Sequence, residues 1–266
     1  MSVITANGIR LYYETTGTGV PILCIHGSAG SAMSFRSSVQ ALAALGRVIV
    51  YDRRGCSRSE RPEPFATSVA QQVDDAAGLL LALDAVPAIV LGHSYGAGIA
   101  VGLALSRPEL VRALVLLEPP VRGLDRGFDG LNGRLRPRLE ALARTDPAAV
   151  ARAFMARALG PATWDAMRPE AQQALTDNGP ALLAESRGKG VTAKPSQLAT
   201  LSMPVLVVAG TESPPEFRRV AKLVADAIPN AQLAVVAGGH MIRPADPQVV
   251  QFIGAITHAG PPGRAA

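Results

Sequence analysis

Residues 88–106 read AIVLGHSYGAGIAVGLALS. The stretch has no Asp, Glu, Lys or Arg, yet a histidine, a serine and a tyrosine sit together in it among four glycines. Two structures suit such a segment. The uncharged run between Asp84 and Arg107 is long enough to be weighed as a membrane span. Alternatively, a buried strand turns sharply into a buried helix, and the polar residues mark the turn. The flanking sequence decides between them.

Short runs rich in Val, Ile and Leu recur on both sides: PILCIHG (21–27), RVIVYD (47–52), RALVLLE (112–118), PVLVVAG (204–210) and QLAVVAG (232–238). Each is followed by helix-compatible sequence or by a long insertion. Nearly continuous apolar strands separated by helices indicate a parallel sheet covered on both faces. Ahead of them, VITANGIRLYYETTG carries Asn7-Gly8, a strong two-residue turn signal, and reads as an antiparallel hairpin. Residues 88–106 therefore sit mid-pattern as one strand–turn–helix unit, which argues against a membrane span. The expected fold class is α/β, a mostly parallel sheet with helices on both faces.

The alternation breaks once. Residues 121–195 carry helical periodicity (LRPRLEALA, AAVARAFMARAL, PEAQQALTDNG) and no convincing strand. The expected organisation is a core built from 1–120 and 196–260, a helical cap at 121–195, and a loose tail at 261–266 within GPPGRAA.

A chain of 266 residues can bury a sizeable core. With 48% hydrophobic but only 4% aromatic residues, that core must be mostly Ala, Leu and Val. Most of the net charge of +5 comes from 121–195, where 12 Lys/Arg stand against 8 Asp/Glu. The arginines are spread singly, whereas a nucleic-acid footprint needs a dense stripe with interleaved aromatics. Neither nucleic acid nor membrane is an expected partner; a small molecule is. Cys24 and Cys56 lie far apart with no CxxC or Cys/His cluster, so no metal is expected. The start, MSVITANGIRLYYE, lacks the apolar core of a signal peptide, and a cytoplasmic protein with free thiols is expected.

In open parallel sheets, ligands bind beyond the carboxyl ends of the strands. Ser94 lies there, after AIVLGH, flanked by Gly92 and Gly96 as G-x-S-x-G. Such a turn strains the serine backbone and lifts its hydroxyl above the sheet, over a helix N-terminus that favours negative charge. A serine hydroxyl needs a base to attack a carbonyl. Of the four histidines, His26 belongs to the loop HGSAG (26–30), and His93 should point to the opposite face of the strand from Ser94. His258 lies near the end. His240, in Gly238-Gly239-His240, follows the last strand, in the chain order serine, acid, histidine. An oxyanion needs two N–H groups aimed at one point. Gly27 or Ser28 in the glycine-rich loop can supply one and Tyr95 the other, unless the loop is an ordinary tight turn.

HGSAG, DRRGCSRS, GHSYG, GTESP and GGHM, in this order, resemble the α/β-hydrolase fold family over nearly the whole chain. The insertion falls where that family places its cap. The resemblance implies a serine hydrolase that cleaves a carboxylic ester or lactone through an acyl-enzyme at Ser94, with His240 as base and no cofactor. C–C bond hydrolysis or perhydrolysis by the same residues, and non-catalytic binding of a small molecule, are the alternatives. Dehalogenases and epoxide hydrolases of this fold usually carry aspartate where Ser94 stands. The family's commonest acid position, an aspartate in G-x-x-D, is Ser213 here. Two glutamates are nearby: Glu118, which ends RALVLLE before Pro119-Pro120, and Glu212. A subgroup resembling zearalenone lactonase places a glutamate after the strand preceding the cap, and the 24-residue step from Ser94 to Glu118 is similar. Glu118 is therefore the expected acid and Glu212 the alternative, since an acid in TESPP can simply cap the helix that follows. Asp52, Arg53, Arg54 and Gly55 should brace the loop after RVIVYD. Trp164, with Phe154, Met155 and Met167 nearby, belongs to the core of the cap; on the other reading, Trp164 and Met155 wall the substrate.

Overall fold

The computed structural model describes residues 2–258, with backbone alone at 131, 132 and 161; the expected tail at 261–266 lies outside the described residues. The apolar runs form strands β1 (Ser2–Ala6), β2 (Ile9–Thr16), β3 (Pro21–Ile25), β4 (Arg47–Tyr51), β5 (Ala88–His93), β6 (Val111–Leu117), β7 (Val205–Gly210) and β8 (Ala231–Val236). They make an 8-stranded sheet in the order β1-β2-β4-β3-β5-β6-β7-β8. β1 pairs antiparallel with β2, and β2 with β4; the other pairings are parallel. Asn7 (φ 49°) and Gly8 (φ 71°) both take the positive φ that the tight hairpin turn demands.

The helices α1 (Val39–Ala43), α2 (Val69–Ala82), α3 (Tyr95–Ser106), α4 (Arg126–Thr145), α5 (Ala149–Leu159), α6 (Pro161–Asp165), α7 (Pro169–Asp177), α8 (Gly179–Arg187), α9 (Pro195–Leu198), α10 (Pro215–Ala227) and α11 (Pro247–His258) complete the described chain. Strand side chains alternate between two buried faces. Leu23, Ile25, Val90, Leu114 and Val207 join residues of α2, α3 and α10, while Ile22, Cys24, Leu91, Val115 and Val208 join α1 and α11. Burying one Leu or Ile side chain stabilises by about 1.5–3 kcal/mol, so these two faces dominate the energetics. β8 departs from the pattern: as an edge strand it leaves Leu233 and Val235 41% and 60% exposed.

Among the described residues, no helix is long and apolar enough to cross a membrane. α3, the helix inside the uncharged stretch, has 12 residues and runs through the core.

Helices α4 to α8 lie between β6 and β7, and a single parallel bridge between Arg122 and Thr192 closes the base of this insertion. Its Leu139, Val150 and Leu182 pack on Ala29 of the loop after β3. A second cluster joins Ala151, Met155 and Trp164.

Candidate active site

The turn after β5 has the strain that the glycine spacing predicts. Ser94 sits at φ 51°, ψ −122°, a conformation that costs on the order of 1–3 kcal/mol and persists only when its surroundings enforce it. Its N–H donates to Leu117 O at 2.8 Å, and its carbonyl accepts from Ala97 and Gly98 at 2.8 and 3.1 Å. A side chain at Gly92 would begin 2.5 Å from Ala97 Cα, and one at Gly96 2.6 Å from His26 O. The corner closes only with glycine at both positions.

His240 lies in the loop after β8. Its Nε2 is 3.0 Å from Ser94 Oγ, and its Nδ1 is 2.9 Å from Glu118 Oε2. The ring packs against Phe217, centroids 4.5 Å apart. Glu118 is fully buried just beyond β6, with φ 52°. Gly210 N–H donates to its other oxygen at 2.8 Å. Burial pushes the Glu118 carboxyl up. The hydrogen bond and charge of His240, with the Gly210 N–H, outweigh that and hold it below the ordinary carboxylate range. The Ser213 hydroxyl lies buried beside this carboxylate without reaching hydrogen-bond geometry. Glu212 is exposed, and its backbone N–H donates to Gly238 O at 2.8 Å. The structure thus brings Ser94, His240 and Glu118 together and leaves Glu212 outside.

His93 departs from simple strand alternation. The chain leaves extended geometry at Ser94, so the His93 ring comes to lie 5.2 Å from the His240 ring and its Nε2–H donates to His240 O at 2.8 Å. Burial, aided by His240, lowers its pKa to about 4. A neutral His93 therefore anchors the backbone of His240. No signal in the sequence marks this role, nor that of Phe217.

The loop after β3 approaches the same point. Ser28 and Tyr95 line a cavity of about 410 Å³ together with Ser94. No backbone carbonyl among the described residues takes the N–H of Ser28 or Tyr95. Gly27 lies beneath: a side chain there would begin 3.3 Å from Ser94 Cβ, and its carbonyl is an anchor, not a cavity wall. Phe128, Phe154 and Leu182 form apolar walls. Trp164 and Met155, the candidates for substrate contact, are not among the residues that line this cavity. Both are only 7% exposed and pack with Ala151 inside the insertion, while Phe154 lines the cavity.

The segment after β4 braces the site through hydrogen bonds. Asp52 accepts from Ala32 N–H at 2.7 Å and from Arg58 Nε at 2.7 Å, and Arg54 clasps Asp75 through two bonds of 2.6 and 2.7 Å. Cys24 and Cys56 are free and buried; burial pushes the Cys56 thiol up to about 12.

His26 is fully buried and neutral. Its Nε2 accepts from Arg53 N–H at 3.0 Å while Nδ1–H donates to Gly27 O at 2.8 Å. Burial, then the charge of Arg53, holds its pKa well below the usual imidazole value. The unfolded chain therefore binds a proton that the folded chain refuses. Stability is full above about pH 6.5 and falls as pH drops below it. Urea unfolding at pH 5 is expected to give a free energy about 2 kcal/mol lower than at pH 7 from His26 alone, with His93 adding in the same direction. A pH-independent unfolding free energy across that range would contradict a neutral, buried His26.

A family model described as alpha/beta hydrolase fold matches residues 20–243. The chain belongs to the α/β hydrolase fold family. It is 31% identical over 250 residues to RutD of Azorhizobium caulinodans, provisionally designated a carbamate hydrolase, covering 90% of this chain and 91% of that one. It is 38% identical over 128 residues to the zearalenone hydrolase of Bionectria ochroleuca, covering 47% of this chain and 48% of that one. Among solved structures it is similar to Est816, described as an N-acyl homoserine lactone degrading enzyme, with a TM-score of 0.75, 25% identity, and 97% and 100% of the two chains covered.

Proposed function

We propose that this hydrolase cleaves carboxylic esters or lactones through an acyl-enzyme at Ser94. One observation carries the reading: the unbroken line from Ser94 Oγ to His240 to Glu118, at 3.0 and 2.9 Å, beside a cavity that Ser28 and Tyr95 line. Glu118 accepts a hydrogen bond from Nδ1–H, which holds the tautomer whose Nε2 is free to take the serine proton. As Oγ bonds to the carbonyl carbon, the carbonyl oxygen becomes an oxyanion between the N–H groups of Ser28 and Tyr95. His240 then gives its proton to the leaving oxygen, and a water activated by the same imidazole releases the acid. In this reading residues 121–195 form a cap over a core of 1–120 and 196–260, and exclude bulk water from the oxyanion.

The rim narrows the substrate class. Arg122, Arg136, Arg157, Arg187 and Lys189 line the cavity. Arg122 pairs with Asp129, Arg157 with Glu216, and Arg136 and Arg187 share Glu140. Two positive charges thus stand without an acid of their own among the described residues. An ester with a carboxylate beyond the scissile bond is favoured.

The test is a panel of p-nitrophenyl esters, γ- and δ-lactones and a phenyl carbamate, since carbamates pass through the same tetrahedral oxyanion. Turnover with a burst of p-nitrophenol is the expected result. At low salt, kcat/KM for a hemisuccinate should exceed that of its neutral isostere by about tenfold, and the gap should shrink in 1 M salt. A panel with no turnover at all, alongside tight binding of one of its members, would mark a binding protein.

A further inference from the structure

The oxyanion loop is tied to the insertion at two places, and neither tie is explained by packing alone. The first runs through Arg53, which is 1% exposed. Its Nε donates to His26 O at 3.0 Å and its Nη2 to Gly27 O at 2.9 Å. The Gly27 carbonyl also accepts from Gly30 N–H at 3.2 Å and from the His26 ring. The guanidinium lies 5.0 Å over the ring of Tyr95. Nη1 donates to Gln72 and, at 2.6 Å, to Glu185 of α8, itself only 5% exposed. The second tie is Asn178, between α7 and α8 and 2% exposed. Its amide donates to Ala29 O at 3.0 Å and Gly30 O at 2.9 Å, while its oxygen accepts from Ser57 N–H at 2.7 Å.

A peptide unit is planar and trans, so fixing the Gly27 carbonyl aims the Ser28 N–H the opposite way. A cation at the carbonyl end also strengthens the positive end of the same amide dipole, because hydrogen bonds in series polarise one another. Glu185 supplies the counter-charge that lets Arg53 sit in the interior.

We propose that Arg53 and Glu185, through the Gly27 carbonyl, and Asn178, whose hold on the Ala29 carbonyl turns the Gly30 N–H toward that same Gly27 oxygen, are positioning residues that orient the Ser28 N–H, so that the insertion completes the oxyanion site as well as covering it. The inference rests on the reading of Ser94 as an acyl nucleophile. Removing one charge of a buried pair risks unfolding the protein, whereas replacing both by apolar residues of similar volume is often tolerated. The informative variants are therefore Arg53→Met with Glu185→Met, and independently Asn178→Ala, with the exposed Arg152→Ala as control.

With a p-nitrophenyl ester, both test variants should lose about 10²-fold in kcat with KM within about twofold, the magnitude of one lost oxyanion donor. The inhibition constant of an alkylboronic acid, which forms a tetrahedral anion on serine, should rise by a similar factor. Arg152→Ala should match wild type. A merely structural role would lower the melting temperature without this split between kcat and KM. Folded variants with wild-type kcat would overturn the proposal alone. A wild-type protein that neither turns over esters nor takes a fluorophosphonate label would overturn the nucleophile reading beneath it.

Discussion

Ser94→Ala is expected to lower kcat for a p-nitrophenyl ester by about 10⁵-fold or more and to abolish labelling by a fluorophosphonate. In serine hydrolases of this mechanism the nucleophile and base act as a unit, and losing either removes nearly all the covalent catalysis; what remains over water comes from the oxyanion donors and binding. The geometry makes the substitution clean. Among the described residues the serine side chain bonds only to His240 Nε2, at 3.0 Å, while the backbone at 94 is held by its own bonds to Leu117, Ala97 and Gly98. Alanine at φ 51° keeps a Cβ already accommodated there, so the fold should persist. The melting temperature of the variant checks this. Undiminished labelling would remove Ser94 from the scheme.

Glu118→Gln should cost about 10³- to 10⁴-fold in kcat, the scale seen when a triad carboxylate becomes an amide. The amide keeps the shape and can still accept from Gly210 N–H. It no longer offers a negative charge to Nδ1, and its NH₂ can face the ring only if the imidazole adopts the tautomer with Nε2 protonated. That tautomer cannot take the serine proton. Glu212→Gln provides the comparison: its side chain is exposed, and kcat should stay within about twofold of wild type. If the two variants exchanged these magnitudes, Glu118 would not be the acid. The difference is best read at saturating substrate, where tighter or weaker binding does not intrude.

The sheet was legible because strands buried on both faces must be apolar almost throughout, and PILCI, AIVLGH and VLVVAG admit few other readings. β8 shows the limit, since QLAVV has the same composition yet lies at an edge with Leu233 and Val235 uncovered. The elbow was legible because steric closure at Gly92 and Gly96 leaves no other residue type. Glu118 could be singled out because a carboxylate at a strand end, followed by two prolines, has few structural uses. Trp164 and Met155 illustrate why a cavity wall is harder to see. Successive helical residues point about 100° apart, so Phe154 faces the cavity while its neighbour Met155 faces the insertion's interior, and hydrophobic spacing alone does not say which stripe is which. The sequence around Arg53 marks it as a brace, but its partner Glu185 lies 132 residues away, and no local pattern joins them.

The positions of the three side chains along the chain also bear on synthesis. Ser94 and His240 are separated by 146 residues, and Glu118 and His240 by 122. A growing polypeptide therefore presents the serine and the carboxylate long before the imidazole emerges from the ribosome. Products that stop before β8 lack His240 and should be hydrolytically silent.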